Sequence, residues 1–244
     1  MRQAHKDLMT DMLPLALLAG GLATRLGELT KTMPKAMVEV AGEPFIAHQL
    51  RLLHREGVPH VVICAGYLAE QIQAFVGDGS RFGIPISYRI DGPKLLGTGG
   101  ALRAALPDLG DAFLVMYGDS WLDTSYSPIV EAFRQSGHPA LMTVFRNDGQ
   151  WDTSNVWFED GRIRLYDKRE RVPQMQHIDW GLGIVRAEAL ETRPSNEPFD
   201  LAEVYSDLSR QGKLSGYAVA TRFYEIGSAT GLKETDALLR IQRG

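Results

Sequence analysis

The chain has 244 residues, 44% of them apolar and 23% charged, the make-up of an ordinary globular protein long enough to bury a sizeable core. Its net charge of −4 argues against a nucleic-acid partner, which calls for a basic face. One cysteine, Cys64, leaves no internal disulfide and no cysteine-based zinc site. No apolar run approaches the ~20 residues of a membrane helix, so no membrane partner is expected. The polar opening, MRQAHKDLMTDM, lacks the apolar centre of a signal peptide, which predicts a cytoplasmic protein.

Residues 1–12 read as an N-terminal extension. The stretch from Leu13 to Lys35, LPLALLAGGLATRLGELTKTMPK, opens as one buried strand. It breaks at Gly20-Gly21 into a loop carrying Thr24, Arg25, Lys31 and Lys35. Such a loop gathers backbone N–H groups and cations at a strand's carboxyl end, where open α/β sheets bind ligands and where anions are favoured. A surface turn with solvated cations is the plain alternative. Pro34-Lys35, ten residues after Arg25, supplies a second anchor of the kind a polyphosphate needs. The loop matches neither the Walker string nor Gly-x-Gly-x-x-Gly.

Pro44 to Gly57 reads as a helix, with Ile46, Leu50 and Leu53 on one face. His60 to Ala65 is a second strand, with Cys64 a plain buried thiol. Tyr67 to Val76 is another helix and Ile84 to Ile90 a third strand. Short buried strands alternating with helices predict βαβ units and a mostly parallel sheet. Leu95 to Ala101, LLGTGGA, opens a helix expected to end near Leu106-Pro107. Gly97, Gly99 and Gly100 let the backbone approach a flat ligand, or simply make a flexible turn. Ala112 to Tyr117 is a fourth strand, followed at once by Gly118-Asp119. A carboxylate at that strand end suits Mg²⁺, which takes one or two carboxylates plus phosphate oxygens. A turn or cap role is the alternative. Asp123 reads as a cap of the next segment, with a place behind the metal as its second reading. Ser127 to Gly137 has helix punctuation at both ends, and Ala140 to Arg146 is a fifth strand.

Beyond a polar loop at 147–153, strands are expected at Asn155 to Phe158, Gly161 to Leu165 and Ile178 to Val185, with Asp160-Gly161 as a hairpin turn. A helix follows from Phe199 to Gln211, and another from Ala229 to Ile241. No histidine pair marks a metal or catalytic site. His48 and His54 read as packing or surface residues.

LAGGLATRL followed by PKAMVEVAGEPF resembles the signature of the sugar-1-phosphate nucleotidyltransferases. The resemblance implies a Rossmann-like, three-layer α/β/α fold with a mostly parallel central mixed sheet and a small β-rich sugar-binding extension. It implies one domain over 13–244: a nucleotide-binding half (13–146), a sugar-phosphate-binding half (147–227) and a C-terminal helix (228–244). By position, Ala19, Gly20, Gly21, Thr24, Arg25 and Lys35 would hold the nucleoside triphosphate. Gly97, Thr98 and Gly99 would lie against the base, and Asp119 would be the principal Mg²⁺ ligand. Tyr166-Asp167-Lys168 resembles the segment whose lysine meets the sugar phosphate, and IDWGLGI the segment lining the sugar through Asp179 and Gly181. A solvated basic run at 168–171 and a core Trp180 are the plain readings there. Relatives carry Asp where Glu225 stands, as a second metal ligand. Glutamate keeps the charge but adds a methylene. FYEIGS resembles the branch that makes GDP-activated heptose, which favours GTP with a heptose or mannose-type 1-phosphate; UTP, dTTP or CTP with another sugar phosphate stays open. A homodimer is a guess from the family.

The implied reaction is NTP plus sugar 1-phosphate giving NDP-sugar plus pyrophosphate, with Arg25, Lys35 and Asp119 as catalytic residues. The nucleophile is an ionised phosphate, so no general base is needed, and positioning and electrostatics suffice. Two rivals are a nucleotide-sugar-dependent glycosyltransferase and a non-catalytic nucleotide-sugar binder. Asp119 and Asp123 do not form the Asp-x-Asp of the first.

Overall fold

A computed structural model describes residues 12–21, 32–92, 94–151, 153–195 and 197–243. Thr24 and Arg25, and nearly all of the expected N-terminal extension, lie outside the described residues.

The first strand, β1 (Leu15–Leu18), is buried along its length because both of its faces are covered. Leu15 and Leu17 point into one core cluster, Ala16 and Leu18 into a second. That alternation defines three layers. One face of the sheet carries α1 (Phe45–Arg55), α2 (Ala69–Val76) and α4 (Ser127–Ser136). The other carries α3 (Gly97–Leu109), α5 (Ala187–Glu191) and α6 (Leu201–Arg210).

Two short strand pairs interrupt this alternation. They are β2 (Glu39–Val40) with β3 (Glu43–Pro44), and β7 (Ser120–Trp121) with β13 (Tyr224–Glu225). The main sheet is built from β4 (Val61–Ala65), β5 (Ile86–Ile90), β6 (Ala112–Tyr117), β8 (Ala140–Arg146), β9 (Val156–Glu159), β10 (Arg162–Tyr166), β11 (His177–Arg186) and β12 (Leu214–Val219), together with β1. Its order is β5-β4-β1-β6-β11-β8-β12-β10-β9. β5, β4, β1 and β6 are parallel, β11 runs antiparallel between β6 and β8, and β12 is parallel to β8. The sheet is mixed and mostly parallel, as expected, and the strands after residue 147 continue it. A third core cluster seats the C-terminal helix α7 (Ala229–Arg243) through Leu239 against Val40, Phe45 and Trp121.

Four local expectations change. β12 was not legible in the sequence: LSGYAV alternates too weakly, and its place is decided by pairing with β8. Helix α3 runs through Pro107 to Leu109 and stops at Gly110, with φ +73°. A proline in the last turn forfeits one N–H bond without ending the helix. Ser127 caps nothing. Tyr126 is the cap residue of α4, and its N–H reaches the Glu56 carboxylate at 3.4 Å. Asp123 caps nothing either; its carboxylate pairs with Arg55 and accepts from Gln242 of α7 at 3.2 Å. Asp160 and Gly161 do form the hairpin turn, with φ +51° and +73°.

Candidate active site

The carboxyl ends of β1, β4 and β6 open onto a cleft of about 310 Å³. Ala19, Gly20, Gly21, Lys35, Gly97, Thr98 and Asp119 all line it, with Leu18, Cys64, Asp91, Leu95 and Tyr117 among the remaining walls. Residues from five separate stretches of chain thus meet at one place. The backbone is drawn tight there. Ala19 N–H donates to the Cys64 carbonyl at 2.8 Å, and Gly118 N–H to the Leu18 carbonyl at 2.9 Å. A Cβ on Gly118 would stand 2.9 Å from that carbonyl oxygen, so that strand end needs glycine, and one on Gly20 would crowd Gly66 N at 3.3 Å.

The charged end is built around Asp119. Lys35, at the start of a short 3₁₀ turn, brings Nζ to 2.8 Å from Asp119 Oδ2. Ile226 N–H donates to the Asp119 carbonyl at 2.9 Å, which locks the corner to β13. Gln49 was not singled out by sequence reasoning. It is fully buried on α1, and its amide donates to the carbonyls of Tyr117 at 3.1 Å and Ser120 at 2.8 Å, bracketing Gly118-Asp119. The available signal was a glutamine on the apolar face of a helix, beside Ile46, Leu50 and Leu53. A buried amide in that position must find partners.

Glu225 lies across from Ser120 in the β7–β13 pair. Its carboxylate accepts from Gly227 N–H and from the Ser228 hydroxyl at 2.6 Å. A Cβ on Gly227 would meet Glu225 Oε2 at 2.6 Å, Lys35 Nζ at 2.9 Å and Asp119 Oδ2 at 3.3 Å. Two carboxylates and one ammonium therefore border a single small space that glycine keeps open. Among the described residues no three His, Cys, Asp or Glu side chains form a metal-binding group. Two hard oxygen donors suit Mg²⁺, which completes its shell with phosphate and water.

At the opposite end, Gly97 and Thr98 face the cleft, but Gly99 does not line it. Gly99 and Gly100 N–H groups donate to the Phe199 carbonyl, at 3.0 and 3.3 Å. A Cβ on Gly99 would run into the Phe199 ring. The approaching flat group is therefore a phenylalanine of the chain itself. Thr98 Oγ1 donates to Asp200 at 2.9 Å and accepts from Leu201 N–H at 2.8 Å, joining α3 to the capping box of α6.

Asp179 and Gly181 sit on β11 at a register shift, and Gly181, with φ +103°, stands beside Ser120 and Leu122. Burial pushes the Asp179 carboxyl up to about 6; the Gly181 N–H at 3.0 Å and the charge of Lys168 pull the other way. Lys168 is exposed, on a turn whose Asp167 carboxylate accepts from Arg169 and Glu170 N–H groups and pairs with Arg210. Asp179, Gly181 and Lys168 thus form a second group next to the Asp119 corner but outside the cleft lining. Trp180 is core, with its indole N–H on the Thr221 carbonyl at 2.8 Å. His48 is also a packing residue, bonded to the Val40 carbonyl at 2.7 Å.

The fold and site define an α/β protein of three layers with a glycine-lined, Lys–Asp cleft at its strand ends. Residues 16–154 match the family model described as nucleotidyl transferase, and the chain belongs to that family. It is 30% identical to the N-acetylmuramate alpha-1-phosphate uridylyltransferase of Neisseria meningitidis, over 91% of this chain and 96% of that protein. It is 28% identical to the UTP–glucose-1-phosphate uridylyltransferase of Synechocystis, over 85% of this chain but only 58% of that protein's length. The crystal structure of HddC from Yersinia pseudotuberculosis complexed with GMP-PN superimposes with a TM-score of 0.80 at 22% identity, over 93% of this chain and all of that one, and shares the fold.

Proposed function

We propose that the protein is a cytoplasmic sugar-1-phosphate nucleotidyltransferase, converting NTP and sugar 1-phosphate into NDP-sugar and pyrophosphate. The observation that carries this is the cleft that unites Gly20, Gly21, Lys35, Gly97, Thr98 and Asp119 at the strand ends. In this reading residues 13–146 hold the nucleotide, 147–227 the sugar phosphate, and 228–244 close the domain. No described helix is long and apolar enough to cross a membrane.

A phosphate oxygen of the sugar 1-phosphate attacks the α-phosphorus of the NTP. The bond from that phosphorus to the oxygen bridging the β-phosphate breaks, and pyrophosphate leaves with the electron pair. The attacking oxygen is already ionised, so no proton moves. What the protein supplies is placement and charge. Arg25 and the backbone of Gly20 and Gly21 hold the β- and γ-phosphates, with Ala19 and Thr24 also at the nucleotide. Lys35 neutralises the α-phosphate, and Gly97 and Thr98 shape the base end. Lys168 receives the sugar phosphate, with Asp179 and Gly181 against the sugar ring. Asp119 and Glu225 would hold Mg²⁺, Glu225 directly or through water, and the ion would add positive charge beside the triphosphate oxygens.

For the finer assignment, FYEIGS supports GTP with a heptose or mannose-type 1-phosphate. The two uridylyltransferase relatives support UTP as the second reading. A pyrophosphate-release matrix tests both: four NTPs and dTTP against a panel of sugar 1-phosphates, with Mg²⁺ and with chelator. One NTP–sugar pair turning over, and stopping with chelator, is expected. Tight nucleotide binding without turnover across the panel would overturn the reading in favour of a non-catalytic binder.

A further inference from the structure

We propose that Gly231 is the positioning residue for Glu225, a role that rests on the nucleotidyl-transfer reading of the site. Residue 231 lies near the start of α7 in helical backbone, where alanine is the better helix former. Glycine stands there because a Cβ at 231 would overlap the Glu225 carboxylate and come within 2.7 Å of the Glu225 carbonyl oxygen. The carboxylate fills the space that a side chain at 231 would take. It is tied there by the Ser228 hydroxyl at 2.6 Å and by Gly227 N–H. Ser228 Oγ accepts in turn from Gly231 N–H at 3.0 Å, and the Thr235 hydroxyl donates to the Glu225 carbonyl at 2.8 Å. Backbone and side chain of Glu225 are thus fastened to one turn of helix. The same carboxylate turns Oε2 toward the space beside Gly227 that Lys35 Nζ and Asp119 Oδ2 also border.

Gly231 therefore sets how far the Glu225 carboxylate stands from the Lys35–Asp119 pair. The extra methylene of glutamate is spent reaching into the gap that glycine leaves. The two residues are matched in volume: Glu225→Asp removes one carbon and Gly231→Ala adds one. Either change alone unbalances the packing, whereas both together relieve the overlap with the side chain and leave the closer approach to the residue 225 carbonyl.

A double-mutant cycle on the intact chain tests this, using wild type, G231A, E225D and E225D/G231A. Each is followed by thermal unfolding without ligand and by Mg²⁺ titration of NTP turnover. G231A is expected to lower Tm by roughly 2–6 °C despite its better helix propensity. It is also expected to raise the Mg²⁺ concentration for half-maximal rate roughly 10–100-fold, the usual scale for a group that orients a metal-facing ligand. In the E225D background the same substitution should cost less in both readouts than in wild type, the part that remains coming from the 2.7 Å approach to the backbone carbonyl of residue 225. A Tm raised by G231A, additive effects around the cycle, or a lowered Tm with unchanged Mg²⁺ dependence would each overturn the proposal. If the wild type turns over no NTP, the functional reading fails separately, and the unfolding cycle still decides whether 225 and 231 are packed as a pair.

Discussion

The two ends that the proposed function assigns to the nucleotide donor and the sugar-phosphate acceptor are held by different means. At the donor end, Asp119 sits in a corner clamped by backbone contacts and by the Gln49 amide, beside a lysine 2.8 Å away. At the acceptor end, a half-buried carboxyl at Asp179 on β11 feels the charge of an exposed Lys168 on the loop after β10. The first is preorganised before any ligand arrives. The second depends on side chains carried by a strand irregularity and a loop. Under the proposed function, the difference predicts where substrate discrimination would reside: the rigid corner would serve the chemistry common to any nucleoside triphosphate, and the adaptable end would choose the sugar.

Breaking the rigid corner should have the largest effect. Asp119→Ala removes the partner of Lys35 and one of the two carboxylates beside Gly227; kcat is expected to fall ~10²–10³-fold or more, measured by pyrophosphate release, with Tm little changed. A variant that keeps most of its activity would remove Asp119 from the mechanism. Gln49→Leu is the next largest. It removes the donor to two partly buried carbonyls, at up to about 1–3 kcal/mol each, so both Tm and kcat should drop while KM for the sugar phosphate holds.

The same contrast explains what could be read in advance. β1, Lys35 and Asp119 were legible because each is announced by local chain chemistry: an apolar run, a glycine break, a cation or carboxylate at a strand end. Gln49 carries no such announcement, since its partners lie on β6 and β7, far along the chain. β12 was hidden for a related reason, its identity residing in the register with β8. Gly99 shows a limit of another kind. A glycine reveals that something comes close, but not whether it is a nucleobase or Phe199. The pairing of Gly231 with Glu225 was equally invisible, because a single glycine in a helix gives no direction.

Smaller effects sharpen the acceptor end. Lys168→Ala should raise KM for the sugar 1-phosphate by roughly 10–100-fold, the worth of one charged hydrogen bond, and leave KM for the NTP unchanged. Asp179→Asn separates charge from shape. Because burial raises the Asp179 pKa in the folded state to about 6, its contribution to stability is present below the ordinary carboxylate range and is lost as pH rises through 6. Asp179→Asn should therefore be more stable than wild type at pH 7 and lose that advantage near pH 4, by thermal unfolding. If the ionised carboxylate accepts sugar hydroxyls, kcat/KM for the sugar phosphate rises through pH 6 in the wild type. That rise should flatten in the variant.

The central claim is that one cleft moves a nucleotidyl group, and following the two ends of the triphosphate tests it most directly. With α-labelled and, separately, γ-labelled GTP and UTP, a sugar 1-phosphate panel and Mg²⁺, the α-label is predicted to appear in a nucleotide-sugar and the γ-label in pyrophosphate. A γ-label released as orthophosphate, or an α-label that never leaves the free nucleotide, would contradict it.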